Sequence, residues 1–64
     1  MNNVNVAILL ASYNGEKYIE EQIKSILSQS YPFWHLYIRD DGSTDNTIEV
    51  INRYIDEYPN KITL

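Results

Sequence analysis

The fold is decided by a stretch near the amino terminus that reads Val4-Asn5-Val6-Ala7-Ile8-Leu9-Leu10-Ala11. It is almost continuously apolar and contains β-branched residues, which indicates a short strand. Apolar runs without alternation are typical of parallel sheets that are covered on both faces. The turn-forming residues 12–15 end the run. We therefore expect an α/β protein whose first strand is buried on both sides.

The segment that follows has the apolar spacing of an amphipathic helix. Its stripe falls at positions i, i+4, i+7 and i+8, which are Ile19, Ile23, Ile26 and Leu27. Asn14 is the predicted N-cap, and Glu16 lies in the first turn, where a carboxylate favours the helix dipole. Pro32 prevents the helix from continuing.

The second half of the chain repeats the strand and helix pattern. Residues 36–38 predict a strand that ends at Arg39 and Asp40, and a following loop in which Ser43, Thr44 or Asp45 caps the next helix. The stripe of that helix consists of Ile48, Ile51, Ile55 and Tyr58. Residues 61–64 predict the start of a third strand.

The predicted element order is therefore β-α-β-α-β within one domain of residues 1–64. Parallel strands joined by right-handed helical crossovers are the expected result. Two crossovers in the same direction give the strand order 3-2-1, which is half of a nucleotide-binding α/β sheet.

Composition excludes several classes of protein. The chain has 64 residues, no cysteine and a formal net charge of -4. Without cysteine there is no disulfide framework and no Cys-type zinc site, and the acidic balance argues against nucleic-acid binding. The apolar run of residues 4–11 is too short to span a membrane and lacks the flanks of a signal peptide.

Two loops should meet at the carboxyl ends of the first two strands, where open α/β sheets bind ligands. The first contains Ala11, Ser12 and Tyr13, and the second contains Asp40 and Asp41. An aromatic ring can stack on a base, and a carboxylate can accept a hydrogen bond from a base or a ribose.

A structural interpretation of the same residues stays open. Tyr13 could pack in its turn, while Asp40 and Asp41 could be loop and capping residues beside a Gly42 of positive φ. Adjacent carboxylates also repel, which predicts that one of the two pKa values is raised. The pair does not fit the pattern of a calcium loop.

The remaining candidate groups point to structure rather than chemistry. His35 follows Trp34 at the end of the strand away from the loops, and Phe33 and Trp34 are expected to anchor a loop on the core. The other tyrosines are expected to cover surfaces: Tyr18, Tyr31, Tyr37 and Tyr54. A serine nucleophile elbow, a G-x-G-x-x-G fingerprint and a P-loop are all missing from the sequence.

Read together, the two loop regions resemble the opening of the family 2 glycosyltransferases, which are inverting enzymes with the Rossmann-like GT-A fold. The first is Val6-Ala7-Ile8-Leu9-Leu10-Ala11-Ser12-Tyr13-Asn14, and the second is Ile38-Arg39-Asp40-Asp41-Gly42-Ser43-Thr44-Asp45-Asn46-Thr47. The segment between them, ending at Pro32, is also similar to the family's first helix. The resemblance covers residues 4–64 and is nearest to bacterial rhamnosyl- or galactosyltransferases of polysaccharide biosynthesis.

The resemblance implies a nucleotide-sugar donor, such as a UDP- or dTDP-sugar. It places the loop of Ala11, Ser12 and Tyr13 against the nucleotide base. It makes Asp41 the acid that bonds the base and Asp40 a neighbour that shapes the pocket. Ala11 stands where the family often has Thr or Pro, so it offers no hydroxyl contact.

The resemblance also implies features that this sequence does not contain. Family members are longer and carry, further along, the acids that hold a divalent metal (Mg or Mn) and the general base that activates the acceptor hydroxyl. We therefore assign no catalytic residue and no metal ligand, and we expect residues 1–64 to be inactive on their own. We expect the parent enzyme to be cytoplasmic, with the inner face of the membrane as a place where it acts. The alternatives are a non-catalytic nucleotide-binding module and a structural fragment that forms homo-oligomers through the edge of the strand at residues 4–11.

Overall fold

Three parallel strands and two helices make up the computed structural model, which describes residues 5–64. The elements are β1 (Val6–Ser12), α1 (Glu16–Leu27), β2 (Trp34–Asp40), α2 (Thr47–Glu57) and β3 (Ile62–Thr63). This order confirms the predicted β-α-β-α-β fold class. Val4, the first residue of the predicted strand, lies outside the described residues.

The central strand of the sheet is β2, with β1 on one side and β3 on the other. β1 pairs with β2 in parallel from Val6↔Trp34 to Ser12↔Asp40. This arrangement is compatible with the expected 3-2-1 order. It places the loops that follow β1 and β2 side by side at one edge of the sheet, because paired parallel strands end together.

Within the described part of the chain, the hydrophobic core lies on one face of the sheet. Alternate residues of β2 are buried against the helices. The buried apolar residues are Ile19, Ile23, Trp34, Leu36, Ile38, Ile51, Tyr54 and Ile62. On the other face Leu9 is 79% exposed and Tyr37 is 45% exposed. The prediction that the first strand is covered on both faces is therefore wrong for the described residues, because the residues of α1 and α2 join a single core on the same side.

The two helices differ from their predicted patterns at particular positions. The N-cap residue of α1 is Gly15, not Asn14, which has a φ of 46°. In α2 the buried side chains are Thr47, Ile51 and Tyr54, whereas Tyr58 lies after the helix end and is exposed. The buried face of α2 therefore differs from the predicted stripe. It includes Thr47 and Tyr54, and it does not include Tyr58 because α2 ends at Glu57.

Two aromatic residues also occupy unexpected places. Tyr54 belongs to the core rather than the surface, and its phenol donates a hydrogen bond of 2.9 Å to the Glu20 carboxylate of α1. Burial raises the pKa of Tyr54, and the hydrogen bond to Glu20 adds to this. Trp34 anchors the core as expected, but Phe33 is 37% exposed and contacts the ring of Tyr31 edge-on.

Candidate functional site

The loops after β1 and β2 are joined by hydrogen bonds to one carboxylate, that of Asp40. The hydroxyl of buried Ser12 donates to Asp40 Oδ1 at 2.6 Å. Ser43 donates twice, from its backbone N–H to Oδ2 at 2.8 Å and from its hydroxyl to Oδ1 at 2.5 Å. These donors, led by Ser12, hold the pKa of Asp40 below its ordinary value. Asp40 is therefore not a carboxylate whose pKa is raised by its neighbour.

A second bridge between the loops runs through Asn14. Its backbone N–H donates to the Ser43 hydroxyl at 2.8 Å, and its side-chain carbonyl accepts the Thr44 N–H at 2.7 Å. Asn14 therefore binds the neighbouring loop instead of capping α1. Gly42 has the predicted positive φ, 89°, which glycine adopts without the strain that a side chain would bring.

Below these bridges, Asp45 holds the starts of both helices. Its carboxylate accepts the backbone N–H of Thr47 at 3.0 Å and that of Glu16 at 3.3 Å. The fully buried Thr47 hydroxyl donates to the same carboxylate and accepts the Gly15 N–H at 2.9 Å. The Thr47 hydroxyl is the main cause that lowers the pKa of Asp45. One acid thus supplies the oxygen acceptor that the first turn of each helix requires.

Sequence reasoning missed the roles of Asn14 and Thr47. It included Asp45 among the possible caps of α2 but did not predict that this residue also reaches α1. A signal for Thr47 was available, because a hydroxyl at the start of an apolar helical stripe needs a buried partner. The pairing with Gly15 could not be foreseen, since it depends on how the helices pack.

The other predicted site residues lie on the open side of the sheet or are exposed. Ala11 is the register partner of Arg39, and the alternation of the strands places both on the uncovered face. Asp41 forms an ion pair with Arg39, with Arg39 Nε 3.0 Å from Asp41 Oδ1. The ring of Tyr13 is 63% exposed.

Two shallow grooves adjoin these groups. The first has a volume of about 360 Å³ on the uncovered face, and its lining residues are Leu9, Leu10, Ala11, Tyr37, Ile38 and Arg39. The second, of about 580 Å³, is bounded by the loop after β2, the start of α2 and β3. Arg39 lines both grooves and therefore stands at the junction between them.

The five predicted site residues thus divide into two groups. Ser12 and Asp40 are in direct contact and fasten the loops together. Ala11 and Asp41 flank Arg39, and Tyr13 follows on the same loop as Ala11. Asp41 also donates its backbone N–H to the Ser12 carbonyl at 2.9 Å, which ties the two groups to one frame.

Residues 5–64 do not fit a divalent metal. No three His, Cys, Asp or Glu side chains among them are grouped closely enough to hold an ion. Asp40 accepts hydrogen bonds from serines, and Asp41 pairs with Arg39. His35 bonds the Thr63 hydroxyl at 2.7 Å at the other end of β2, in agreement with its predicted structural role. We also find no helix in this part of the chain that has the length and apolar character for a membrane span.

Comparison with known proteins gives a consistent result. The sequence model of glycosyl transferase family 2 matches residues 7–64. EpsE of Bacillus subtilis, which is named as a glycosyltransferase, is 42% identical over 92% of this chain and 21% of its own length. TuaG of Bacillus subtilis, named for teichuronic acid biosynthesis, is 44% identical over 81% of this chain and 21% of its own. The dTDP-rhamnosyl transferase RfbG of Shigella flexneri is 44% identical over 86% of this chain and 19% of its own.

The chain spans about a fifth of the length of these relatives. No solved structure matches it significantly.

Proposed function

The chain belongs to glycosyl transferase family 2, and from that premise we propose that it forms the nucleotide-binding start of an enzyme that transfers a sugar from a nucleotide donor to an acceptor hydroxyl. The donor is a dTDP- or UDP-sugar; the rhamnosyl transferase among the relatives is named for dTDP. The product is a bacterial polysaccharide, in keeping with the teichuronic acid relative. The enzyme works in the cytoplasm, at the inner face of the membrane.

Within that enzyme, we propose that residues 11–13 and 40–41 form the base side of the donor site. The observation that carries this proposal is the Ser12–Asp40 hydrogen bond of 2.6 Å, which fastens two loops at the carboxyl edge of the sheet. With the loops held in this way, the Tyr13 ring and the Asp41 carboxylate remain exposed beside the groove. Tyr13 stacks on the base and Asp41 accepts a base N–H, while Ser12 and Asp40 keep the loops in place.

The metal and the general base belong to other parts of the enzyme in this proposal. General-base catalysis needs a carboxylate within hydrogen-bond reach of the acceptor hydroxyl. Asp40 is already committed to serine donors and Asp41 to the base, so neither is assigned that role. The divalent ion of the family, Mg or Mn, likewise draws no ligand from the described residues.

Calorimetry with UDP and dTDP tests the binding proposal. We expect both nucleotides to bind the chain of residues 1–64. Tyr13→Ala should weaken binding about 10- to 100-fold, because stacking of a base on an aromatic ring contributes on the order of 1–3 kcal/mol. Asp41→Ala should weaken it by a similar factor through the lost hydrogen bond.

The matched controls carry the same substitutions away from the site. Tyr58 follows the carboxyl end of α2, at the opposite edge of the sheet, and Asp56 is exposed in the last turn of α2. Tyr58→Ala and Asp56→Ala should leave both affinities unchanged. Equal affinities for the wild-type chain and the Tyr13 and Asp41 variants would contradict the proposed site.

A second proposal concerns assembly through β1. Among residues 5–64 this strand pairs with β2 on one side and with no strand on the other, and its Leu9 side chain is 79% exposed. Edge strands that are unpaired recruit other strands. We propose that copies of this chain associate through the β1 edge, and we expect light scattering to show a mass that increases with concentration. A monomer at all concentrations would refute the proposal. Val4, at the start of the predicted edge, lies outside the described residues.

A further inference from the structure

Arg39 adjoins two of the predicted site residues and both grooves. It is the register partner of Ala11, it pairs with Asp41 at 3.0 Å, and it lines both grooves. The contact to Asp41 comes from Nε, and 85% of the Arg39 side chain is exposed. A guanidinium has five N–H donors in a fixed planar fork, so its Nη groups remain available at the surface of the groove.

This ion pair is not explained by stability. An exposed pair of this kind contributes little to stability, because solvent screens the charges and both side chains lose freedom. The geometry of the pair, however, places a hydrogen-bond acceptor and a hydrogen-bond donor side by side. The Asp41 carboxylate is an acceptor, and the guanidinium next to it is a donor.

An acceptor beside a donor matches the imide edge of uracil and thymine. Uracil and thymine carry an imide N3–H between two carbonyl oxygens, so N3–H can donate to a carboxylate while the O4 carbonyl accepts from a guanidinium. Cytosine has an unprotonated N3 and an amino group at position 4, where thymine has a carbonyl. In the position that uracil would occupy, cytosine places its unprotonated N3 against the Asp41 carboxylate and its amino group against the Arg39 guanidinium. Such unpaired contacts reject a wrong ligand.

We propose that Arg39 is a specificity-determining residue, which orients Asp41 through Nε and donates from Nη to a base carbonyl, so that the pair selects uracil or thymine nucleotides over cytosine nucleotides. This inference rests on the proposed function, because it requires the nucleotide to occupy the loops after β1 and β2. The ligand class is a nucleoside diphosphate with an imide base. The small side chain of Ala11 leaves the guanidinium uncovered on the open face of the sheet.

The experiment compares the dissociation constants of UDP, CDP and 3-methyluridine diphosphate, which lacks the imide N–H. We expect the wild-type chain to prefer UDP over CDP by about tenfold or more, since one charged hydrogen bond corresponds to roughly that factor. In Arg39→Ala the preference should fall to within about threefold. In Asp41→Ala the penalty for 3-methylation should disappear, while Arg39→Ala should reduce it only in part.

Two further variants separate base recognition from charge. Arg39→Lys keeps the positive charge but loses the planar fork, so it should still bind UDP and CDP but lose the preference for UDP. Arg53→Ala removes an arginine from an ion pair with Glu20 between the helices, and it should leave every ratio unchanged.

The outcomes distinguish this inference from the proposed function. If the folded wild-type chain binds neither UDP nor dTDP, the proposed function fails and the inference falls with it. If UDP binds and the UDP-to-CDP ratio is the same in wild type, Arg39→Ala and Arg39→Lys, the inference alone is overturned. Circular dichroism of each variant shows whether the fold is retained, as expected for an exposed ion pair.

Discussion

Replacing Leu36 with alanine is expected to lower the free energy of unfolding by about 2–5 kcal/mol. Leu36 is fully buried at the centre of β2, where it contributes to the single core beneath the helices. The substitution removes apolar contacts and leaves a cavity that a small core cannot close. A chain of 64 residues is stable by about 3–10 kcal/mol in total, so this one change should remove about half of that stability.

The chain provides a matched control for this prediction. Leu9 lies on the neighbouring strand, but its side chain is on the opposite face and is 79% exposed. Leu9→Ala is the same chemical change, and we expect it to alter the free energy of unfolding by at most about 0.5 kcal/mol. Urea denaturation of dilute samples measures both values. Similar losses for the two variants would mean that the uncovered face is buried in solution, in contradiction to a core on one side only.

The sequence patterns predicted the helices and strands, but not whether both faces of the sheet are covered. The spacing of the apolar residues predicted both helices, because burial on one face of a helix requires that spacing. Short apolar runs predicted the strands. The apolar run around Leu9 has no alternation, and it was interpreted as covered on both faces. Nothing within the run itself reveals whether other chain segments cover the second face, so this part of the prediction was wrong for residues 5–64.

The location of the site could be predicted from the sequence, but the different roles of its residues could not. Two adjacent loops follow from parallel strand pairing, and both loops are indeed joined there. The two groups have different roles because the last residues of each strand alternate between the covered and the uncovered face of the sheet. This places Ser12 and Asp40 apart from Ala11 and Asp41. The role of Asn14 was assigned to helix capping because capping is a local rule, whereas its observed partner, Thr44, is 30 residues away in sequence.

The second large effect is expected at the buried hydroxyl that connects the helix starts. Thr47→Val keeps the volume and the β-branched shape, but it removes a donor to Asp45 and the acceptor of the Gly15 N–H. The Gly15 N–H then lies against an apolar group with no partner, which costs about 1–3 kcal/mol. We expect the free energy of unfolding at pH 7 to fall by this amount, whereas Thr44→Val, at an exposed position, should have little effect.

The pH dependence of the same variant tests the mechanism. Hydrogen bonds lower the pKa of Asp45 in the folded state, chiefly the one from Thr47. A carboxylate with a lowered pKa stabilises the fold above its unfolded pKa, and this contribution is lost as the pH falls through its folded pKa. Without the hydroxyl, the pKa of Asp45 returns toward its ordinary value near 4, so Thr47→Val should lose less stability than wild type on acidification.

The difference in the free energy of unfolding between the two proteins should therefore be largest at neutral pH and should narrow below about pH 4. A difference that stays constant from pH 7 to pH 2 would show that the bond from the Thr47 hydroxyl to the Asp45 carboxylate contributes nothing to stability, and that the loss comes from the Gly15 N–H and from packing.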